Sequence, residues 1–145
     1  MTIFRASLIL INATIILIFS SCQKSKNNQE FSGWNLIWQD EFDYDSDKLS
    51  ENWNFEEGYG SNGWGNDEWQ YYTSENTTIE SGNLVITAKT QGKINKRDKS
   101  VTSSRLQTYQ KFDFKPGTKI IARIKLPWGQ GIWPAFWALG SNYSE

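Results

Sequence analysis

Three adjacent carboxylate pairs stand out among the acidic residues, and their spacing limits the chemistry that they could perform. The pairs are Asp40-Glu41, Glu56-Glu57 and Asp67-Glu68. Two carboxyl groups can share acid and base roles in one reaction only when both face the substrate. Adjacent residues on a strand point to opposite faces, so none of these pairs fits that arrangement. Capping, turn and surface roles are the alternatives, and the sequence assigns no catalytic residue.

Aromatic residues form the second group with chemical potential, since the chain holds 8 Trp and is 15% aromatic. On a strand over residues 129–140, Trp133, Ala135 and Trp137 share one face, with the two indoles about 13 Å apart. Such a pair could form a flat platform on which sugar rings stack. The alternative is a core strand in which tryptophan serves as large apolar filling. The pattern alone leaves both interpretations open.

Composition excludes several classes of function. The 145 residues include no histidine, which excludes histidine-dependent catalytic triads and histidine-bearing metal sites within them. The formal charge of −1 gives no electrostatic case for a nucleic-acid partner. Nothing in the composition indicates an oligomeric state.

The N-terminal segment has the features of an export signal. Arg5 precedes an apolar run over residues 6–19, which is short for a membrane-spanning helix. Small residues directly before Cys22 resemble a bacterial lipoprotein cleavage box. We therefore predict a signal peptide over residues 1–21, lipidation of Cys22, a flexible tether over residues 22–33 and a membrane-anchored location at the cell envelope. An ordinary exported protein or an uncleaved anchor are the alternatives.

The remainder of the chain has the pattern of an all-β protein. Short alternating segments separated by glycine and proline turns predict strands, and no convincing amphipathic helix is found. We predict strands at residues 34–39, 69–73, 83–89, 103–109, 118–126 and 129–140. Many short strands with turns between them favour a β-sandwich.

Five motifs in order carry a resemblance to a known family. They occupy residues 38–42, 63–73, 81–86, 104–108 and 131–137, which read WQDEF, GWGNDEWQYYT, SGNLVI, SRLQT and GIWPAFW. Together they resemble glycoside hydrolase family 16, especially its laminarinase-like β-1,3-glucanases. The resemblance implies a jelly-roll β-sandwich of two curved antiparallel sheets, a concave cleft and a β-glucan substrate. Residues 34–145 would be the N-terminal portion of that domain, so the sandwich is expected to be incomplete in this chain.

The resemblance also implies roles for individual residues. Asn66 matches an asparagine that binds a sugar, and Arg105 matches an arginine on the concave face. Trp133 and Trp137 match aromatic residues on the cleft floor, and Trp64 could flank the cleft. A local turn role for Asn66 and a surface ion pair for Arg105 are the alternatives.

A structural calcium ion occurs in some members of the family, and no other cofactor is implied. Glu41 and Gly82 match positions that bind calcium through backbone oxygens, which are suitable calcium ligands. A third ligand, a late aspartate, would lie beyond Glu145. These two positions are candidate ligands only.

The catalytic carboxylates of the family lie in a Glu-x-Asp-x-(x)-Glu strand that does not occur in this sequence. We expect that strand beyond Glu145, and we expect this chain alone to be inactive. The prediction is therefore a retaining endo-β-1,3-glucanase represented by a fragment. The alternatives are a non-catalytic glycan-binding envelope lipoprotein and a truncated pseudogene product.

Overall fold

A computed structural model describes residues 33–142, which fall into two compact units. The first unit ends at Trp38, and its described residues 33–38 form neither helix nor strand. The second unit begins at Gln39 and holds all of the elements given below. Among residues 33–142, no helix is both long and apolar enough to cross a membrane.

The second unit consists of short strands linked by turns. One α-helix, α1, spans Leu49–Asn52, and single 3-10 turns span Ser46–Lys48 and Ser74–Asn76. The strands are β1 (Asn54–Glu56), β2 (Tyr71–Tyr72), β3 (Thr77–Ile79), β4 (Leu84–Ile86), β5 (Lys89–Thr90), β6 (Val101–Ser103) and β7 (Arg105–Gln107).

These strands pair in three small ladders. Strands β1 and β7 are antiparallel, and Glu56 lies directly opposite Arg105. Strand β6 lies between β2, with which it is parallel, and β5, with which it is antiparallel. Strands β3 and β4 form a hairpin. The pairing of β1 with β7 joins residues that lie about fifty positions apart, and it positions the candidate site.

The β3–β4 hairpin forms locally because its sequence contains a favourable turn. Its two-residue turn is Ser81-Gly82, and both residues have positive φ, at 51° and 70°. Turns of this kind match the twist of an antiparallel pair and favour glycine. Backbone hydrogen bonds between Glu80 and Asn83 close the turn at 2.9 and 3.1 Å.

Asp40 organises the segment before α1 by accepting four hydrogen bonds. One carboxylate oxygen accepts from the Phe42 backbone N–H at 3.0 Å. The other accepts from the Tyr44 hydroxyl at 2.7 Å, the Trp53 indole N–H at 2.8 Å and the Asn52 amide at 3.3 Å. Burial, followed by the bond to Asp40, raises the pKa of Tyr44 to about 12. Asp40 thus has a scaffolding role. This agrees with the turn role that the sequence analysis gave as an alternative to catalysis for the Asp40-Glu41 pair.

Asn76 performs a similar linking role between two ladders. It is buried, and its side-chain amide donates to the Thr87 carbonyl at 2.6 Å and to the Thr102 hydroxyl at 3.0 Å. Thr102 lies on β6, so this side chain ties the β3–β4 hairpin to the three-stranded sheet. Among the described residues, Leu49 is the one large apolar side chain that is fully buried. Polar linkers therefore hold much of this unit together.

The all-β class predicted from the sequence is confirmed, but three predicted strands are wrong as ladder strands. Strands occur within residues 69–73, 83–89 and 103–109, whereas residues 34–39, 118–126 and 129–140 are extended or irregular without a ladder. A strand needs a neighbour for its backbone hydrogen bonds. Within residues 33–142, no segment pairs with these three. Consistent with this, Ile120, Ile124 and Leu126, which alternation places inward, are 49–66% exposed.

Replacing Asp40 with asparagine is expected to lower the free energy of unfolding by about 2–3 kcal/mol, because an amide cannot accept from all of these donors. Urea unfolding followed by tryptophan fluorescence measures the change. Asp43→Asn is the matched control, since Asp43 is exposed in the same segment. Equal midpoints for the two variants would contradict the scaffolding role of Asp40.

Candidate functional site

The β1–β7 pair brings a cation and a carboxylate together. Arg105 Nε donates to Glu56 Oε2, and the Gln107 side-chain amide donates to Glu56 Oε1 at 3.1 Å. The side chains of Arg105 and Glu56 are only 15% and 19% exposed. Because a poorly hydrated charge is costly unless it is paired, this ion pair fixes the position of the guanidinium.

Two tryptophan rings contact the same guanidinium. Arg105 Cζ lies 4.6 Å from the ring centroid of Trp64 and 5.0 Å from that of Trp137. A guanidinium at this range from an indole face gains about 0.5–2 kcal/mol. The cluster therefore combines a planar cation, two large rings and a carboxylate, which is a composition suited to sugar hydroxyls and sugar faces.

Trp64 reaches the cluster from a glycine-rich turn. The turn spans Gly63–Asp67, and Trp64 adopts φ 54°, which is uncommon for a bulky residue. A Cβ atom at Gly60 would lie 2.3 Å from Trp64 Cδ2, so the ring can occupy this position only because residue 60 is glycine. The Trp64 indole N–H is buried, and it has no hydrogen-bond acceptor among the residues that the structure describes.

A polar network supports the Trp64 ring from its other neighbour, Tyr72. The ring centroids of Trp64 and Tyr72 are 5.9 Å apart. Glu68 Oε2 accepts from the Tyr72 hydroxyl at 2.6 Å and from the Gln70 amide at 2.8 Å. Burial, followed by the hydrogen bond to Glu68, raises the pKa of Tyr72 to about 12. Tyr72 therefore keeps its proton and its donor role throughout the neutral range.

The structure places the predicted site residues unequally. It brings Trp64, Arg105 and Trp137 together, whereas Trp133 is 92% exposed. Asn66 is exposed, and its amide lies 3.4 Å from Glu68 Oε1, which links it to the Tyr72 network. The alternative role for Arg105 was a surface ion pair. Arg105 does make an ion pair, but the pair is sheltered from water and lies beside aromatic rings. Roles in substrate binding stay predictions for all five residues.

Three residues of the cluster were missed by sequence reasoning, namely Glu56, Glu68 and Tyr72. The alternation of Glu68, Gln70 and Tyr72 was an available signal, because a period of two places these polar groups on one face. For Glu56 the signal was weaker, since its partner Arg105 is far away in the sequence.

The predicted calcium and lipid sites are not tested by this geometry. Gly82 lies at the β3–β4 turn, and the Glu41 side chain is exposed. Within the described part of the chain, no three Asp, Glu, His or Cys side chains form a metal-binding group. Calcium binding by the backbone oxygens of Glu41 and Gly82 stays a prediction. The predicted lipidation site, Cys22, lies outside the described residues.

Comparisons with known proteins match one family and several individual relatives. Residues 10–143 match the family described as beta-glucan synthesis-associated protein SKN1/KRE6/Sbg1. The chain is 37% identical over 127 residues to a beta-glucanase of Rhodothermus marinus, covering 86% of this chain and 42% of that protein. It is 44% identical over 109 residues to the clotting factor G alpha subunit of Tachypleus tridentatus, covering 75% and 15%. The chain thus spans less than half the length of these curated relatives.

Solved structures with similar sequences include two glucan-degrading enzymes. The endo-beta-1,3-glucanase of Pyrococcus furiosus is 44% identical, with a TM-score of 0.49, over 57% of this chain and 34% of its own. The laminarinase of a Flavobacterium species is 42% identical, with a TM-score of 0.48, over 56% and 33%.

The match over residues 10–143 and the glucanase relatives also confirm the fold class, since laminarinases of family 16 are jelly-roll β-sandwiches. The chain belongs to the beta-glucan synthesis-associated SKN1/KRE6/Sbg1 family, and its resemblance to the glucanases of glycoside hydrolase family 16 is confirmed.

Proposed function

We propose that the protein acts on β-glucans as a retaining endo-β-1,3-glucanase, and that the residues described here position the glucan. The observation that carries this proposal is the contact of Arg105 with both Trp64 and Trp137 beside a sheltered carboxylate. Aromatic faces can stack on sugar rings, while the guanidinium fork offers donors to hydroxyls. The names of the glucanase relatives support the same substrate class.

The proposed reaction follows the double displacement of retaining glycosidases. One carboxylate attacks the anomeric carbon, and a second protonates the leaving oxygen and then activates water. We assign both groups to a Glu-x-Asp-x-(x)-Glu strand, a pattern that these 145 residues do not contain. In the proposed mechanism, Arg105, Trp64 and Trp137 hold the sugar against that strand, and Asn66 binds a neighbouring sugar.

A second candidate is a glycan-binding protein without catalysis. One observation favours it, namely that both oxygens of Glu56 and both oxygens of Glu68 already accept hydrogen bonds from neighbouring side chains. The cluster around Arg105 would serve this function equally well.

Laminarin hydrolysis by the protein expressed from its complete open reading frame separates the two candidates. The glucanase is expected to release reducing ends, and proton NMR should show the β-anomer as the first product. Binding of laminarin without release of reducing ends would favour the second candidate. If the protein neither binds nor cleaves laminarin, both candidates are wrong.

Replacing Arg105 with lysine is expected to raise the Kd for laminarihexaose about tenfold, which corresponds to about 1.4 kcal/mol. Lysine keeps the charge opposite Glu56 but loses the planar fork and its contact with the indoles. Isothermal titration calorimetry measures the change. Arg123→Lys is the control, because Arg123 is exposed and bonds only to Asn83 among the hydrogen bonds seen, at 3.1 Å. An unchanged Kd for Arg105→Lys would remove Arg105 from the binding site.

We further propose that the mature protein is anchored at the bacterial cell envelope through a lipid on Cys22. The residues before Cys22 support this proposal. Cys22→Ser is expected to move the protein from the membrane fraction to the soluble fraction after cell lysis, as followed by immunoblotting. Ser25→Ala is the control and should stay in the membrane fraction. Retention of Cys22→Ser with the membranes would contradict lipidation.

A further inference from the structure

The polar loop between β5 and β6, residues 91–100, makes a dense set of contacts with the segment that carries Trp64 and Asn66. Its sequence is polar and locally basic. In the structure it is ordered internally, because the Ser100 backbone N–H and the Asn95 amide both donate to Asp98, each at 2.8 Å. The hydrogen bonds from Ser100 and Asn95 lower the pKa of Asp98.

Arg97 makes the largest number of contacts from this loop. Its backbone N–H donates to the Trp69 carbonyl at 3.2 Å, and its Nε donates to the Glu68 carbonyl at 3.4 Å. Its Nη2 pairs with Asp67 Oδ1 at 2.9 Å, and Lys96 pairs with the other oxygen of Asp67. Arg97 therefore binds three consecutive residues, Asp67–Trp69, at the end of the turn that begins at Gly63.

The start of the same segment is held by a second contact. The Lys99 backbone N–H donates to the Tyr59 hydroxyl at 2.7 Å, and the Lys99 ammonium lies 4.2 Å from the centroid of the Tyr71 ring. Arg97 Nη2 lies close to Gly63, and a Cβ atom at residue 63 would also come within 2.7 Å of the Glu68 backbone nitrogen, which cannot move aside. Trp64 and Asn66 lie between the two points of attachment.

We propose that residues 91–100 form a brace that holds residues 59–69 in the conformation that presents Trp64 and Asn66 to the glucan. Arg97 is a positioning residue in this arrangement, since it acts through Asp67–Trp69. The inference rests on the proposed function for the identity of the ligand. The brace itself rests only on the contacts given above.

The exposure of the brace has a measurable consequence. The Lys96, Arg97 and Asp67 side chains are 46%, 34% and 61% exposed, so added salt screens their charges. A β-1,3-glucan is uncharged, so salt has no direct electrostatic effect on its binding. Loss of glucan affinity with rising ionic strength would therefore report on charge pairs within the protein. The Arg105–Glu56 pair is more sheltered and is screened less.

The test compares the complete wild-type protein with Arg97→Ala, Asp67→Asn and the control Lys93→Ala. Lys93 is exposed in the same loop, and its backbone carbonyl alone takes part in the hydrogen bonds seen. Asparagine is nearly isosteric with aspartate and tolerates the positive φ of residue 67, which is 56°. Asp67→Asn thus keeps the test valid if Arg97→Ala does not fold.

Two readouts are needed, namely amide hydrogen exchange in peptides covering residues 59–69 and the Kd for laminarihexaose in low and high salt. We expect faster exchange in Arg97→Ala and Asp67→Asn, and a Kd about two- to fivefold higher in low salt. We also expect the wild-type Kd to rise with salt. This rise should be lost in Asp67→Asn and reduced in Arg97→Ala, which keeps the Lys96–Asp67 pair. Lys93→Ala should match the wild type in every measurement.

Each outcome decides a separate part of the inference. Unchanged exchange in both variants would overturn the brace. Faster exchange with an unchanged Kd would overturn the positioning role of Arg97. If the wild type does not bind laminarihexaose, the proposed function fails, while faster exchange in the variants still supports the brace.

Discussion

The ion pair between Arg105 and Glu56 crosses the β1–β7 ladder, and the geometry of the candidate site depends on it. Both side chains are largely sheltered from water, so each charge would be costly without the other. Their pairing fixes the guanidinium where the Trp64 and Trp137 rings meet it.

Polar side chains carry much of the architecture around this pair. Asp40 joins the segment before α1 to Trp53, and Asn76 joins the β3–β4 hairpin to the three-stranded sheet. Large apolar residues of the later segment, such as Trp128 at 98% exposed, contribute little to a core within residues 33–142. Segments held by few buried apolar contacts open locally at low free-energy cost. The precision of the site must then come from hydrogen bonds and ion pairs.

Local signals in the sequence predicted local structure well. The alternation over residues 83–89 predicted a strand, and the structure has strand β4 there, although its partner β3 was not predicted. Alternation was equally clear at residues 118–126, but no strand lies beside that segment in the described part of the chain. Alternation in the sequence specifies which face of a strand each side chain would occupy. A hydrogen-bonded ladder also needs a neighbouring strand, which alternation does not specify. The Arg105–Glu56 pair could not be predicted because no local pattern specifies a pairing across forty-nine positions.

The adjacent carboxylate pairs illustrate how the structure separates neighbours in the sequence. Glu56 turns toward Arg105, while Glu57 accepts from the Ser74 hydroxyl at 2.9 Å. Asp67 forms surface ion pairs, while Glu68 accepts from Gln70 and Tyr72. A nucleophile or a general base needs a lone pair that faces the substrate. Both oxygens of Glu56 and both oxygens of Glu68 already accept hydrogen bonds from neighbouring side chains. Glu56 therefore binds Arg105 and Gln107, and Glu68 binds Gln70 and Tyr72. Because the oxygens of both glutamates are already hydrogen-bonded, we assign bond cleavage to carboxylates outside the cluster.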